Sequence, residues 1–260
     1  MTEELPALEL RLAALKAATA ARIFLPLAGA AVASQANLAF QLAHAKARDA
    51  VEDRLDAEAL ADGLRARGLE THCAESAATS RRIYLMRPDL GRRLAESARA
   101  RLLPLKGDYD LVFVVADGLS ARAVAAQALA LLDAAFPAFR AAGWKIGPLV
   151  VVSQGRVAIG DEIGELLGAK LVAVLIGERP GLSSPDSLGV YLTFAPCVGR
   201  TDAERNCLSN IRREGMSCAE AAARLLYLAS EARRRQASGV ALKDEFGGVD
   251  SLPLLGRGDG

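Results

Sequence analysis

Histidine is almost missing from this chain: 260 residues hold only His44 and His72. Also missing are GxGxxG, a GKS or GKT P-loop, HExxH and GxSxG, the local patterns that build dinucleotide, phosphate, zinc-protease and serine-hydrolase sites. An autonomous hydrolase or nicotinamide enzyme is hard to assemble without them. A domain with no catalytic kit of its own is more often a binding or subunit domain. The four cysteines, Cys73, Cys197, Cys207 and Cys218, form no CxxC pair, which argues against a zinc knuckle or a disulfide framework and for reduced cytosolic thiols. Charge of one sign is lacking too. A formal net charge of +1 gives no bulk pull toward nucleic acid or a membrane surface. The N-terminus, MTEELPALEL, is acidic and has no basic region ahead of an apolar core, so no secretory signal is expected. No apolar run approaches a membrane span, and no internal repeat is visible. A soluble, intracellular, bacterial-type protein is expected.

What is abundant is apolar sequence, 52 % of residues, enough for a sizeable core. It concentrates in three runs, LVFVVA (111–116), PLVVVS (148–153) and LVAVLI (171–176). Continuous runs of this length are typical of strands covered on both faces. The first leads through Asp117-Gly118-Leu119-Ser120 into an alanine-rich helix to about Ala135. GRVAIGDEIGELLG follows the second, with Ile159, Ile163, Leu166 and Leu167 at helical spacing. Gly160 and Gly164 weaken that helix but allow close backbone approach. Strand–helix alternation predicts βαβ units, a parallel sheet and an α/β fold. Upstream, helices are expected over 1–20, 31–51 and 56–67, with a short strand at 69–73; 90–103 reads as a basic helix. Leu188 to Phe194 reads as a further strand at an edge. Thr201-Asp-Ala-Glu204 and Ser217-Cys-Ala-Glu220 fit the capping box and predict two helices. The glycine- and leucine-rich tail beyond Lys243 is expected to be poorly ordered.

The chain is organised around GERPGLSSPDSLG (177–189), because the third apolar run stops there and ligands of open α/β sheets bind at the carboxyl ends of strands. Pro180-Gly181 suits the centre of a type II turn, and Glu178 and Arg179 stand at the strand's end. This is either a ligand contact or a solvated charged turn. Asp117 to Val124 is a second strand-to-helix corner, which fits either a phosphate held by free helix N–H groups or a plain N-cap. Thr201 to Gly215 is dense in hydrogen-bonding groups (Arg205, Asn206, Ser209, Asn210, Arg212). Two asparagines are poor choices for a helix face, so it reads as a binding loop or subunit contact. Cys207 lies inside it, where a lone cysteine is most often a small core residue. His44 reads as part of a polar helix face.

Five ordered motifs carry a resemblance: FQLAHAKARDAV (40–51), VADGLSARAV (115–124), GRVAIGDEIGELLGAK (155–170), LIGERPGLSSPDSLGVYLTFAP (175–196) and DAERNCLSNIRREG (202–215). The chain resembles the small (light) subunit of ethanolamine ammonia-lyase over roughly Leu38 to Lys243. That resemblance implies an enzyme converting ethanolamine to acetaldehyde and ammonia with adenosylcobalamin. It implies an N-terminal helical extension (1–68), a Rossmann-like cobalamin-binding domain whose parallel sheet is flanked by helices (69–243), and a flexible C-terminal tail (244–260). It implies a large barrel subunit as partner, which binds ethanolamine and supplies most catalytic groups, with cobalamin between the two chains. The family's cobalamin contacts fall on Val157, Glu178 and Cys207, and no catalytic or metal-ligating residue falls on this chain. Location in the cytoplasm, inside a bacterial microcompartment, is a family expectation. Segment 22–37, RIFLPLAGAAVASQAN, is more apolar than the family's N-terminal segment.

The chemistry of the residues agrees. A corrin presents amide arms around an apolar ring, and a carboxylate such as Glu178 accepts strong hydrogen bonds from amide NH2 groups. Val157 offers its backbone and a small apolar surface, and Cys207 a compact, weakly polar contact. DxHxxG is absent, so histidine is not expected to replace the cofactor's own lower base. The competing reading is a free-standing ligand-binding or scaffolding module of a metabolic compartment; a nicotinamide dehydrogenase lacks its glycine fingerprint.

Overall fold

The computed structural model describes residues 4–19 and 21–247. Helix α1 (Glu4–Ala17) is followed by a short hairpin of β1 (Leu27–Ala28) and β2 (Ala31–Val32), then α2 (Ser34–Glu52) and α3 (Ala57–Arg65). The remaining chain runs β3 (Thr71–Glu75), α4 (Arg81–Met86), α5 (Glu96–Leu102), β4 (Tyr109–Ala116), α6 (Ala121–Ala141), β5 (Leu149–Ser153), α7 (Ile159–Leu167), β6 (Ala169–Gly177), β7 (Leu188–Phe194), β8 (Arg205–Ile211) and α8 (Cys218–Arg235). The expected tail, 244–260, lies outside the described residues from 248 onward.

One six-stranded sheet, ordered β3-β5-β4-β6-β7-β8, organises the α/β fold. The three apolar runs are β4, β5 and β6, and with β3 they form a parallel set. The expected all-parallel sheet is corrected at β7 and β8, which pair antiparallel. The physical reason is the connection. No helix lies between Gly177 and Leu188, so the chain reverses directly, which a parallel pairing does not permit. β7 is an inner strand, and β8 takes the edge position expected for Leu188–Phe194.

The alternation of β4 shows how the layers form. Leu111, Phe113 and Val115 join a core with Leu131, Leu132, Phe136 and Phe139 of α6. Val112, Val114 and Ala116 pack in a second core with Ile159, Ile163 and Leu167 of α7. Phe113 meets Phe139 edge-on at a centroid distance of 5.6 Å. These contacts carry α6 past Ala135 and through Pro137 to Ala141, although proline ordinarily breaks a helix interior. By length and composition α6 is apolar enough to cross a membrane, but its large apolar residues are buried against the sheet. At nine residues, α7 is too short to be stable alone and depends on docking. A Cβ on Gly160 would stand 2.3 Å from Val174 Cγ2, so glycine sets how closely α7 sits on β6.

Three further expectations change. The helix expected over 90–103 is a 3-10 turn (Leu90–Arg92) and then α5. Between them the Leu94 N–H donates to Glu162 Oε2 at 2.8 Å, which pulls the backbone out of the helix. Pro180-Gly181 makes no type II turn, since Gly181 stays outside the left-handed region. Instead Gly181 and Ser184 exchange backbone hydrogen bonds of 3.2 and 3.3 Å. Thr201-Asp-Ala-Glu204 closes a single 3-10 turn and leads into β8, because Arg205 and Leu208 are drawn inward from opposite faces of a strand. Ser217 does cap a helix, accepting from the Glu220 N–H at 3.1 Å.

The Thr201 turn gives a pH prediction. The Glu204 carboxylate accepts from the Thr201 N–H at 2.7 Å and from its hydroxyl at 3.0 Å. The Thr201 amide first, then Arg200, hold this carboxyl down at about 2, below its ordinary 4.5. A depressed carboxyl stabilises the fold above its unfolded value and loses that contribution as pH falls through the folded one. The clamp is therefore complete above about pH 4.5 and opens toward pH 2. A carbonyl-13C titration is expected to place the Glu204 midpoint near 2; a midpoint near 4.5 means that the clamp does not form.

Candidate functional site

The loops after β4, β5 and β6 meet at one edge of the sheet. β4 and β5 are adjacent, yet the chain leaves β4 for α6 on one face and β5 for α7 on the other. Such a switch of direction opens a crevice at the carboxyl edge, where open α/β sheets bind ligands.

Two glycines hold the crevice together. Gly118 has φ +58°, and a Cβ there would stand 2.3 Å from Gly177 O. A Cβ on Gly177 would stand 2.0 Å from Ser120 O. The Asp117–Ser120 corner is thus seated directly on the end of β6, and the Leu119 N–H donates to Gly177 O at 2.9 Å. Ser120 is a plain N-cap, accepting from the Ala123 N–H and donating to Pro185 O at 2.7 Å. Buried Asp117 binds the neighbouring loop, its two oxygens accepting from the Gln154 and Gly155 N–H groups at 2.9 and 3.0 Å. Arg81 faces Asp117 at 3.6 Å and donates to Gly118 O at 2.8 Å. Tyr84 lies between two guanidinium groups, Arg81 at 4.7 Å and Arg156 at 4.2 Å from its ring centre. Burial pushes its phenol up to about 12, so Tyr84 stays a donor, to Gly155 O at 3.3 Å.

A cavity of about 410 Å3 opens here, lined among others by Tyr84, Leu119, Val157, Glu178 and Tyr191. Val157 and Glu178 therefore line one cavity. Cys207 does not line it, but pairs in register with Tyr191 across β7 and β8 and continues the same face of the sheet. Cys207 is exposed and is not a core residue, so the commoner reading of a lone cysteine does not apply to it. Desolvation by its strand neighbours raises the Cys207 thiol, so it is a protonated contact group. Burial also raises the Tyr191 hydroxyl, with Cys207 and Glu178 adding to the effect.

Glu178 is held firmly. Its carboxylate accepts from the Ser187 and Ser209 hydroxyls, each at 2.5 Å, and from the Asn210 N–H at 3.2 Å. A carboxylate has about four lone-pair sites, so roughly one remains for a ligand. The group is both a surface acceptor and the tie between the β6–β7 loop and β8.

The segment read as a binding loop is β8 itself, and most of its polar groups are structural. Arg205 is buried on Asp161, Asn206 binds Gly239 and Leu242 backbone groups, and Arg212 binds Asn210 and Ser183 O. Ser209 and Asn210 alone act at the site, through Glu178. Sequence reasoning missed Tyr84, Arg156 and Tyr191. Arg156 and Tyr191 sit inside motifs already singled out; for Tyr84 no local signal exists. His44 is exposed on α2, 6.4 Å from Phe40, as a polar helix face requires.

Residues 10–243 match the family model described as ethanolamine ammonia-lyase light chain (EutC). The chain belongs to the ethanolamine ammonia-lyase light chain family. It is thus a subunit of an ammonia-lyase. The ethanolamine ammonia-lyase small subunit of Azotobacter vinelandii is 54 % identical over 99 % of this chain and 100 % of that protein. Proteins of the same name from Pseudomonas aeruginosa (55 %; 89 % of this chain, 86 % of theirs) and Xanthomonas campestris (54 %; 94 % and 90 %) are similarly close. All five motifs of the sequence reading fall within the residues that match the light chain family.

Proposed function

We propose that this light chain holds one flank of adenosylcobalamin against a large catalytic subunit, as the small subunit of an enzyme that turns ethanolamine into acetaldehyde and ammonia. The observation that carries the proposal is the convergence of Val157 and Glu178 on one cavity, with Cys207 on the adjoining face. The residues fit the group. Leu119, Val157 and Tyr191 offer apolar surface for a ring edge, and Glu178 keeps an acceptor site for an amide arm. Beside them the buried Nε of Arg156 has no partner among the described residues. The cavity volume of about 410 Å3 lies low in the roughly 300–1,000 Å3 range of drug-sized ligand sites. A corrin nucleotide is larger than a drug, so this chain encloses part of it and a partner the rest.

When bound, the cofactor supplies the radical chemistry. This chain's residues position and shield. Glu178, fixed by three donors, orients an amide arm; Val157 contacts through its backbone and methyl groups; Cys207 and Tyr191 close the apolar margin. What supports a large partner is the exposed apolar surface of the N-terminal elements, where Phe24, Leu27, Leu38, Phe40 and Leu42 face outward. Patches of this kind mark interaction surfaces. The proposal extends to location, in the cytoplasm inside a bacterial microcompartment; failure of the native complex to co-sediment with such shells would remove that part.

The test is gel filtration with visible absorbance, adding cobalamin to this chain alone and to this chain with the large subunit. The corrin band is expected with the two-chain complex only. A complex that forms without retaining corrin favours a scaffolding module. Glu178→Ala is expected to weaken retention about tenfold or more, since hydrogen bonds to charged groups contribute about 1.5–3 kcal/mol, while the complex still assembles. Unchanged retention removes Glu178 from the site.

A further inference from the structure

A second cavity, of about 590 Å3, adjoins the first and shares Arg156 and Val157 with it. Its walls carry Arg92, Arg93, Arg156, Arg200 and Arg205 against three carboxylates. Two of those carboxylates are committed. Asp89 is bound by Arg87 at 2.9 and 2.7 Å, and Asp161 by Arg205 at 2.6 and 2.7 Å. The third, Asp202, is 98 % exposed and faces Arg205 at 3.5 Å. Arg200 is paired with Glu204. That leaves Arg92, Arg93 and Arg156 with no carboxylate partner among the described residues.

Two independent features point the same way. Arg156 is fixed in place, stacked on Tyr84 and donating to Tyr84 O at 3.1 Å, yet its buried Nε meets no acceptor among the described residues. The N–H groups of Val157 and Ala158, just before α7, likewise have no acceptor among the described residues. They stand at the positive end of the helix, where backbone donors and the helix dipole favour an anion. The acidic residues of α7's first turn do not cancel this, because Asp161 is held by Arg205 and Glu162 by Leu94 N–H and Arg99.

We propose that this arginine-lined cavity is an anion subsite that takes the phosphodiester of the cobalamin nucleotide tail. The proposal rests on the cobalamin reading above. Planar guanidinium groups with backbone N–H donors match the geometry of phosphate oxygens, and the phosphodiester is the anionic group of that ligand. Contact between the cavities through Arg156 and Val157 lets one ligand reach both, with its ring edge at Glu178 and its tail at Arg92 and Arg93.

The experiment compares cobalamin with cobinamide, a corrin without the nucleotide tail, each titrated by absorbance into the two-chain complex. The wild-type complex is expected to prefer cobalamin. Arg92→Gln with Arg93→Gln is expected to weaken cobalamin about tenfold or more and leave cobinamide within twofold. Arg92→Lys with Arg93→Lys is expected to restore part of the loss. Inorganic phosphate, set against chloride at equal ionic strength, is expected to compete with cobalamin and not with cobinamide. Equal weakening of both corrins, or of neither, overturns the subsite. Loss of the two-chain complex itself assigns the arginines to the partner's carboxylates and also overturns it. A wild-type complex that binds cobinamide but shows no preference for cobalamin sinks the subsite alone; one that binds neither sinks the cobalamin reading with it.

Discussion

Asp161→Ala is expected to lower the stability of the chain by about 3–5 kcal/mol, the usual cost of leaving one member of a buried ion pair uncompensated. Arg205 and Asp161 expose 1 % and 2 % of their side chains. They meet through two hydrogen bonds of 2.6 and 2.7 Å, and the guanidinium also donates to Thr193 Oγ1 and Arg200 O at 3.0 and 2.9 Å. Truncating Asp161 leaves the 1 % exposed guanidinium of Arg205 without its two-point carboxylate partner. Removing both charges with apolar groups of similar volume is a different experiment. Asp161→Leu with Arg205→Met is expected to recover most of the loss, because the desolvation penalty disappears with the pair. Urea denaturation of Asp161→Leu, Arg205→Met and the double variant measures the coupling. A cost under 1 kcal/mol for Asp161→Ala would mean that Arg205 finds water or another acceptor. The pair matters for function because it ties α7 to the edge strand β8, and β8 carries both Cys207 and the Ser209 and Asn210 donors that fix Glu178.

The centre of this fold was legible because β4, β5 and β6 are buried on both faces and read as unbroken apolar runs. β8 was not. Its signal is an alternation of arginine, cysteine and serine with asparagine and leucine, and a capping box immediately upstream imitates a helix start. Only the pairing with β7 decides between strand and loop, and pairing is non-local. Glu178 was legible because an apolar run ends beside it, and Val157 and Cys207 through family resemblance. Tyr84, Arg81 and Asp117 were not visible as a group. Arg81 and Asp117 lie in separate stretches of chain and meet only once β3, β5 and β4 are joined in one sheet. The two glycines of the crevice were visible as residues, but not as a contact.

That contact sets the other large expected effect. Gly177→Ala is expected to abolish stable folding, or to lower stability by more than 3 kcal/mol, with corrin retention lost. Gly177 does not need glycine for its backbone angle, since it is not in the left-handed region. The obstacle is steric: a methyl group would stand 2.0 Å from Ser120 O and 2.7 Å from Asp117 O. Both are backbone atoms, so no rotamer change relieves the clash. Moving Ser120 disturbs the cap of α6, and moving Asp117 disturbs the bonds to Gln154 and Gly155, so all three loops of the crevice shift together. Gly143→Ala is the informative control, because Gly143 has φ +72° and nothing within 4 Å of a new Cβ. Its cost is conformational alone, about 1 kcal/mol for a left-handed residue that is not glycine. Chemical denaturation and soluble yield of the two variants separate the effects. If Gly177→Ala falls within 1 kcal/mol of Gly143→Ala, the loops have slack, and the close seating of the Asp117–Ser120 corner on β6 is not what holds the cavity open.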